Sequence, residues 1–367
     1  MSRTIRIFVL GLVGALALST AGTALAAYTS PKLTVGDTGT TLTINYTQSA
    51  SDDPTAKLTF YAPTSYSATL TQPAGQTIGT VTAQGTAADL GGAVLPLTGT
   101  VQVRAANGTY LSGTTQVPIA AAATQCTGTA THTAYWVLIL QAAGQTLELP
   151  VFVDSPAAPT SPGGPSTSAF ASTSIQACLP PPDVPTGTPG RATFGFKLTQ
   201  VDFKVTNVFS GPGTGEPRWR LLATPYNPGR GTPNAAGSVE AQSVVAFPRS
   251  VTLRKPAVKA VRGTVTLRIS GTAQLPAGAT ATLRLFRGAK SASVGSIVLR
   301  RSGTGYTGTL KVRQTNKAQV IFLQTRATVA AGTVPCTATF GLPCLSATRA
   351  AVAARSGTVR IVIPRKK

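Results

Sequence analysis

Side chains able to move protons or hold metals are few in this chain and widely spaced. Its 367 residues include one histidine and ten acids. His132 lies in Thr129–Thr133 with no acid close to it in sequence, which predicts a surface or strand-end histidine rather than a general base. Glu216 and Glu240 are the pair that two-carboxylate sugar hydrolysis would use. Asp37, Asp52 and Asp53 sit at turn-like positions. Calcium would need about six to eight oxygen ligands, so these read as ordinary turn acids. GxSxG, HExxH, phosphate-loop and CxxC patterns do not occur. The sequence therefore predicts a non-catalytic protein with no cofactor and no metal.

Two further stretches carry recognisable chemistry. Trp219, between Arg218 and Arg220 and followed by Tyr226, lies in a stretch that reads as irregular, Gly211–Gly237. A flat aromatic in such a loop could stack on a sugar ring, which gives carbohydrate binding as an alternative function. Leu95-Pro96-Leu97-Thr98-Gly99 spells a sortase signal, but a real signal sits at the C-terminus before an apolar span, so the match is one of letters only.

Charge is the stronger signal. The formal net charge is +22, and no acid follows Glu240. Twenty lysines and arginines lie between Arg254 and Lys367. Several alternate with apolar residues at strand spacing, where residues two apart share a face. Leu267 and Ile269 inward would put Arg268 outward. Leu310 and Val312 do the same for Lys311 and Arg313, and Val359 and Ile361 for Arg360. Arg284, Arg287, Arg300 and Arg301 extend the set. One outward basic sheet is expected, and it would attract polyanions with steep salt dependence.

These residues must be carried by strands. Only 11% of residues are charged, and 37 glycines and 27 prolines leave little room for long helices. Short alternating runs recur at sandwich spacing, among them Thr40–Thr47, Ala56–Tyr61, Thr77–Thr82 and Gly99–Arg104. Tyr135–Gln141 and Gln145–Val153 read as a hairpin with a central strand, and Ala120–Thr124 as a small-residue bridge before it. The last part offers Thr264–Ser270, Thr280–Phe286, Ser296–Arg300, Tyr306–Arg313, Gln319–Thr328 and Thr358–Ile363. The expected fold is all-β, with tandem sandwich domains at residues 27–122, 123–255 and 256–367.

Met1–Ala26 reads as a cleaved secretory signal peptide, with Arg3 and Arg6, an apolar run and Ala24-Leu25-Ala26. No later segment reads as a membrane span. In an oxidising compartment the four cysteines suggest two disulfides. Of three connectivities, Cys126–Cys178 and Cys336–Cys344 keep each pair within one expected domain.

With this leader, the strand spacing and the Thr264–Phe286 segment around its Pro276-Ala277-Gly278 turn, the chain resembles secreted bacterial multidomain proteins with immunoglobulin-like modules. The resemblance covers the last domain best. It implies a sandwich fold and an envelope setting, and it assigns no functional residue. The expected function is a secreted, envelope-associated protein whose basic C-terminal domain binds an anionic cell-wall polymer or polysaccharide. Export points away from intracellular nucleic acid. A hydrolase of unfamiliar type is the third class.

Overall fold

Alternation of apolar and polar residues sets the strands. In Thr41–Thr47 the residues Leu42, Ile44 and Tyr46 are buried and their neighbours are not. The computed structural model describes residues 28–29, 31–142, 144–161, 164, 166–213, 215–246, 251–261, 263–273, 280–288, 294–302, 305–335 and 346–366. The signal-peptide segment, the Pro276-Ala277-Gly278 turn and the Cys336–Cys344 pairing lie outside the described residues.

The strands begin with β1 (Lys32–Asp37), β2 (Thr41–Thr47), β3 (Thr55–Pro63), β4 (Ser67–Ala68) and β5 (Thr77–Ala87). β6 (Ala93–Arg104), β7 (Thr109–Ser112) and β8 (Thr115–Pro118) lead into a helix, α1 (Ile119–Thr127). β9 (Ala134–Ala142), β10 (Gln145–Asp154), β11 (Ala171–Cys178), β12 (Phe196–Thr206) and β13 (Phe209–Ser210) follow. β14 (Arg218–Pro225), β15 (Val239–Val244), β16 (Val258–Val261), β17 (Thr264–Thr272) and β18 (Thr280–Phe286) come next. The last are β19 (Gly295–Ser302), β20 (Gly305–Arg313), β21 (Gln319–Val329), β22 (Gly332–Val334), β23 (Ala347–Arg349), β24 (Val352–Arg355) and β25 (Val359–Ile363). The protein is all-β, as its composition predicts.

A thirteen-stranded sheet runs β1-β2-β12-β5-β6-β9-β10-β11-β3-β14-β15-β23-β22. Strands on either side of residue 122 alternate in it: β12 lies between β2 and β5, and β3 between β11 and β14. One core unites them through Ile44, Leu58, Leu97, Trp136, Ile175 and Trp219. Segments 27–122 and 123–255 are therefore one folded unit, a correction to the expected division. Ala120–Thr124 is not a bridge but the middle of α1. Its alanines have high helix propensity, and Ile119, Ala122 and Ala123 cover Tyr135, Val137 and Phe152 on the outside of the sheet. The Cys126–Cys178 disulfide ties α1 to the end of β11. Its 52-residue separation corresponds to about 4 kcal/mol in the chain-entropy account.

The first sheet curls until β1 lies against β15. No backbone ladder joins these two strands. Instead Val35 N donates to Ser243 Oγ at 2.8 Å, and Ser243 Oγ donates to Thr348 O at 3.3 Å. Thr348 Oγ1 in turn donates to Leu33 O. β23 pairs with β15 in parallel, so the C-terminal region contributes two strands to this sheet.

The second sheet runs β16-β17-β20-β19-β18-β21-β24, with β25 also paired to β21. Its strands are antiparallel and fold into two layers. β19 passes between the layers: Gly295–Leu299 pairs with β18, and Arg300–Ser302 pairs with β20. Val265, Leu267, Leu283, Leu323 and Ile361 fill the space between. This is the two-layer build expected of an immunoglobulin-like sandwich.

A buried polar network fixes the start of the described chain. The Tyr28 and Tyr46 hydroxyls lie 2.8 Å apart, and Thr55 and Gln48 complete the group. Burial pushes the Tyr28 hydroxyl up to about 12 and raises that of Tyr46 as well. An unfolded tyrosine releases its proton near 10.0, so the folded state holds the Tyr28 proton longer. Stability is full below that pH and is expected to fall as pH rises from there to about 12, by roughly 3 kcal/mol for Tyr28 alone. Denaturant titrations across this range check the slope, and Tyr28→Phe is expected to flatten it. Ser243→Ala is expected to cost about 1–3 kcal/mol, because the Val35 N–H loses its acceptor, while Ser243→Thr retains most of the stability.

Candidate functional site

Six of the eight basic residues singled out by sequence divide between two outer faces of the C-terminal sandwich, and Arg287 and Arg301 belong to neither. They do not form the one basic sheet expected. The first face belongs to β16, β17, β20 and the end of β19. Register places Lys259, Thr266 and Lys311 in one row, Thr264 beside Arg313, and Arg268 beside Thr309. Arg300 lies beside Thr307. Threonines thus separate the cations across the strands, and lysines 259 and 311 stand about two strand spacings apart, ~9.5 Å. All five basic side chains on this face are exposed.

The second face belongs to β18, β21, β24 and β25. Arg284 lies opposite Gln324, Arg326 opposite Arg355, and Phe322 between Phe286 and Arg360. The Arg284 guanidinium sits over the Phe286 ring at 5.2 Å. Arg326 is half-buried, and its Nε is covered with no hydrogen-bond partner. Like charges directly opposite on a sheet repel, so the Arg326–Arg355 pair is held together against a cost.

Arg287 is exposed just beyond β18. Arg301 has the opposite phase to Arg300 and pairs with Tyr306 near the hairpin end, where it is exposed. Sequence reasoning missed Lys259, Arg326 and Arg355. Arg326 was legible, since buried Leu323, Thr325 and Ala327 set its outward phase. Lys259 and Arg355 lie in four-residue strands too short for a periodic signal.

Trp219 does not lie in a loop. It is fully buried in β14, edge-on to Tyr66 at 5.2 Å and to Phe209 at 5.7 Å. The Arg-Trp-Arg-Leu run is strand alternation, with Trp219 and Leu221 inward. Tyr226 is also buried and donates to Leu179 O at 2.5 Å. Neither ring has a free face for a sugar, which removes the expected Trp219/Tyr226 platform.

The acids are likewise engaged. Glu240 pairs with Arg220, and Glu216 with Arg349 at 3.6 Å. Asp37 accepts from the Tyr66 hydroxyl at 2.9 Å, and Asp52 from Thr29 Oγ1 at 3.0 Å. Among the described residues no cluster of three or more His, Cys, Asp or Glu could hold a metal. Leu95–Gly99 lies within β6 between β5 and β9, and a side chain at Gly99 would meet Ile139 O at 2.0 Å. A shallow depression near Gly75, Gly108 and Gln116 contains Arg104 and Glu148, which pair with each other at 3.3 Å.

His132 is a strand-end histidine, two residues before β9, but it is buried rather than on the surface. Its Nδ1 lies 2.9 Å from Asp154 Oδ1, and its Nε2 lies 3.0 Å from Thr127 Oγ1. Asp154 follows 22 residues later, brought back by the β9–β10 hairpin. Hydroxyl, imidazole and carboxylate stand in the order of a nucleophile triad. Here, however, the His132 side chain is wholly covered and stacks on Phe152 at 5.0 Å. The Thr127 hydroxyl also reaches Ala123 O at 2.9 Å, inside its own helix. The chain of hydrogen bonds clamps α1 to β10. His132→Ala is expected to lower stability by about 2–4 kcal/mol, because the Asp154 carboxyl loses this partner and the packed ring is removed. Thr127→Val is expected to cost only about 1 kcal/mol. Chemical denaturation of the two variants checks this order.

No protein-family model matches the chain, and no curated protein is similar to it. Among solved structures, a chimeric titin Z1Z2 functionalized with a KLER exogenous peptide from decorin is similar at 12% identity, covering 59% of this chain and 85% of that chain with a TM-score of 0.15.

Proposed function

We propose that the chain is an exported, non-catalytic protein of the cell envelope whose C-terminal sandwich binds anionic wall or surface polymers. The first outer face is the binding surface. One observation carries this reading: Lys259, Arg268, Arg300, Lys311 and Arg313 stand exposed on adjoining strands of a unit whose sequence contains no acidic side chain. Their charge has no acidic side chain within that unit to neutralise it, so an external polyanion gains the counterion-release term. Threonines dominate this face, with exposed Val261 beside Thr264 at its β16 edge, a mainly polar surface that suits a hydrated polymer.

Carbohydrate binding through Trp219 and Tyr226 loses its basis, because both rings are buried. A two-carboxylate hydrolase finds no support in Glu216 and Glu240, each of which is held by an arginine. No helix among the described residues is long and apolar enough to cross a membrane.

The test uses the full-length chain with a soluble poly(glycerol phosphate) and a neutral glycan as probes. Binding to the charged polymer is expected to weaken steeply with salt, and the neutral glycan is expected not to bind. Substituting glutamine at Arg268, Lys311 and Arg313 together is expected to reduce the slope of log K against log salt by about 2. Equal affinity at low and high salt would overturn the electrostatic reading.

A further inference from the structure

The second outer face has a composition that polymer binding does not explain. Val320 is 37% exposed and Val362 45% exposed, and these two valines stand opposite each other on β21 and β25. Half-buried Phe322 and Phe286 continue the apolar surface across to β18. Val298, 74% exposed, lies beyond Thr282 on β19. Arg284, Arg326, Arg355 and Arg360 are set among these residues on the same face.

We propose that this face docks onto an anionic lipid surface. The sheet would lie against the leaflet with the Val320, Val362 and Phe322 end at the acyl boundary. The four guanidiniums would then sit at the level of the lipid phosphates, where Arg accepts bidentate pairing. A phosphate between Arg326 and Arg355 relieves their mutual repulsion. No acidic side chain follows Glu240 in the sequence, so side-chain neutralisation of these guanidiniums has to come from outside this unit. A single-stranded nucleic acid fits less well. It needs open aromatic faces for base stacking, whereas Arg284 covers Phe286 at 5.2 Å and exposed valines offer nothing to a base. The proposal concerns a different face and a different ligand from polymer binding, so either can fail while the other stands.

Vesicle co-sedimentation of the full-length chain tests it. Phosphatidylcholine vesicles containing phosphatidylglycerol are expected to bind the chain, and pure phosphatidylcholine vesicles are not. Arg326→Gln with Arg355→Gln is expected to weaken binding about 30-fold, at about fivefold per cation near the surface. Val320→Thr with Val362→Thr keeps the β-branched shape and the fold, and is expected to remove the part of the binding that resists high salt. The Arg268, Lys311 and Arg313 substitutions on the first face are expected to leave vesicle binding unchanged. The proposal is overturned if the valine variant binds vesicles as tightly as the parent at high salt. Loss of vesicle binding in the first-face variant would also overturn it. So would tighter binding of a short single-stranded DNA that competes with vesicles for Arg326 and Arg355. Thermal unfolding of each variant separates a lost contact from a lost fold.

Discussion

Closure of the large sheet rests on an edge strand satisfied by hydroxyls. β1 uses one side of its backbone for β2, and its other side would be left as an unpaired edge. The Val35 N–H and the Leu33 carbonyl on that side meet Ser243 and Thr348. Short side chains thus do what a ladder does elsewhere, at a point where Leu33 and Val35 are completely buried. Because Thr348 lies in β23, closure also depends on a segment that arrives from the C-terminal region. The sandwich that follows Pro256 is therefore joined to the first unit by more than a linker.

Electrostatics then divides the molecule. In the first unit, arginines find acids: Arg104 meets Glu148, Arg191 meets Asp89, and Arg220 meets Glu240. Arg349 reaches back from β23 to Glu216. The sandwich has no acidic side chain of its own, so its remaining cations face outward. Strand phase sorts them into a threonine-rich face and a face shared with valine and phenylalanine. The same count of positive charge thereby produces two surfaces of different composition.

Much of the sandwich was legible in the sequence. The interval Thr280–Phe286 forms a strand with the bounds that alternation gives, and the outward phases of Arg268, Lys311, Arg313 and Arg360 follow from their buried neighbours. The β9–β10 hairpin was legible as well, since an apolar run on both sides of a short turn has few other solutions. The Gly- and Pro-rich flanks of residues 211–237 hid β14, where a tryptophan between two arginines is core alternation rather than a binding loop.

Local pattern determined which residues form strands, which side chains point in or out along each strand, and that the C-terminal region is basic throughout. These depend on neighbours two residues apart, which the sequence displays directly. Strand order decided the rest. It placed Arg268 and Arg284 on opposite faces, set Arg326 against Arg355, and brought Asp154 to His132. It also merged two expected domains into one sheet. Such pairings join residues far apart in the chain, and they are chosen by how whole layers bury their apolar sides, which no short stretch of sequence encodes.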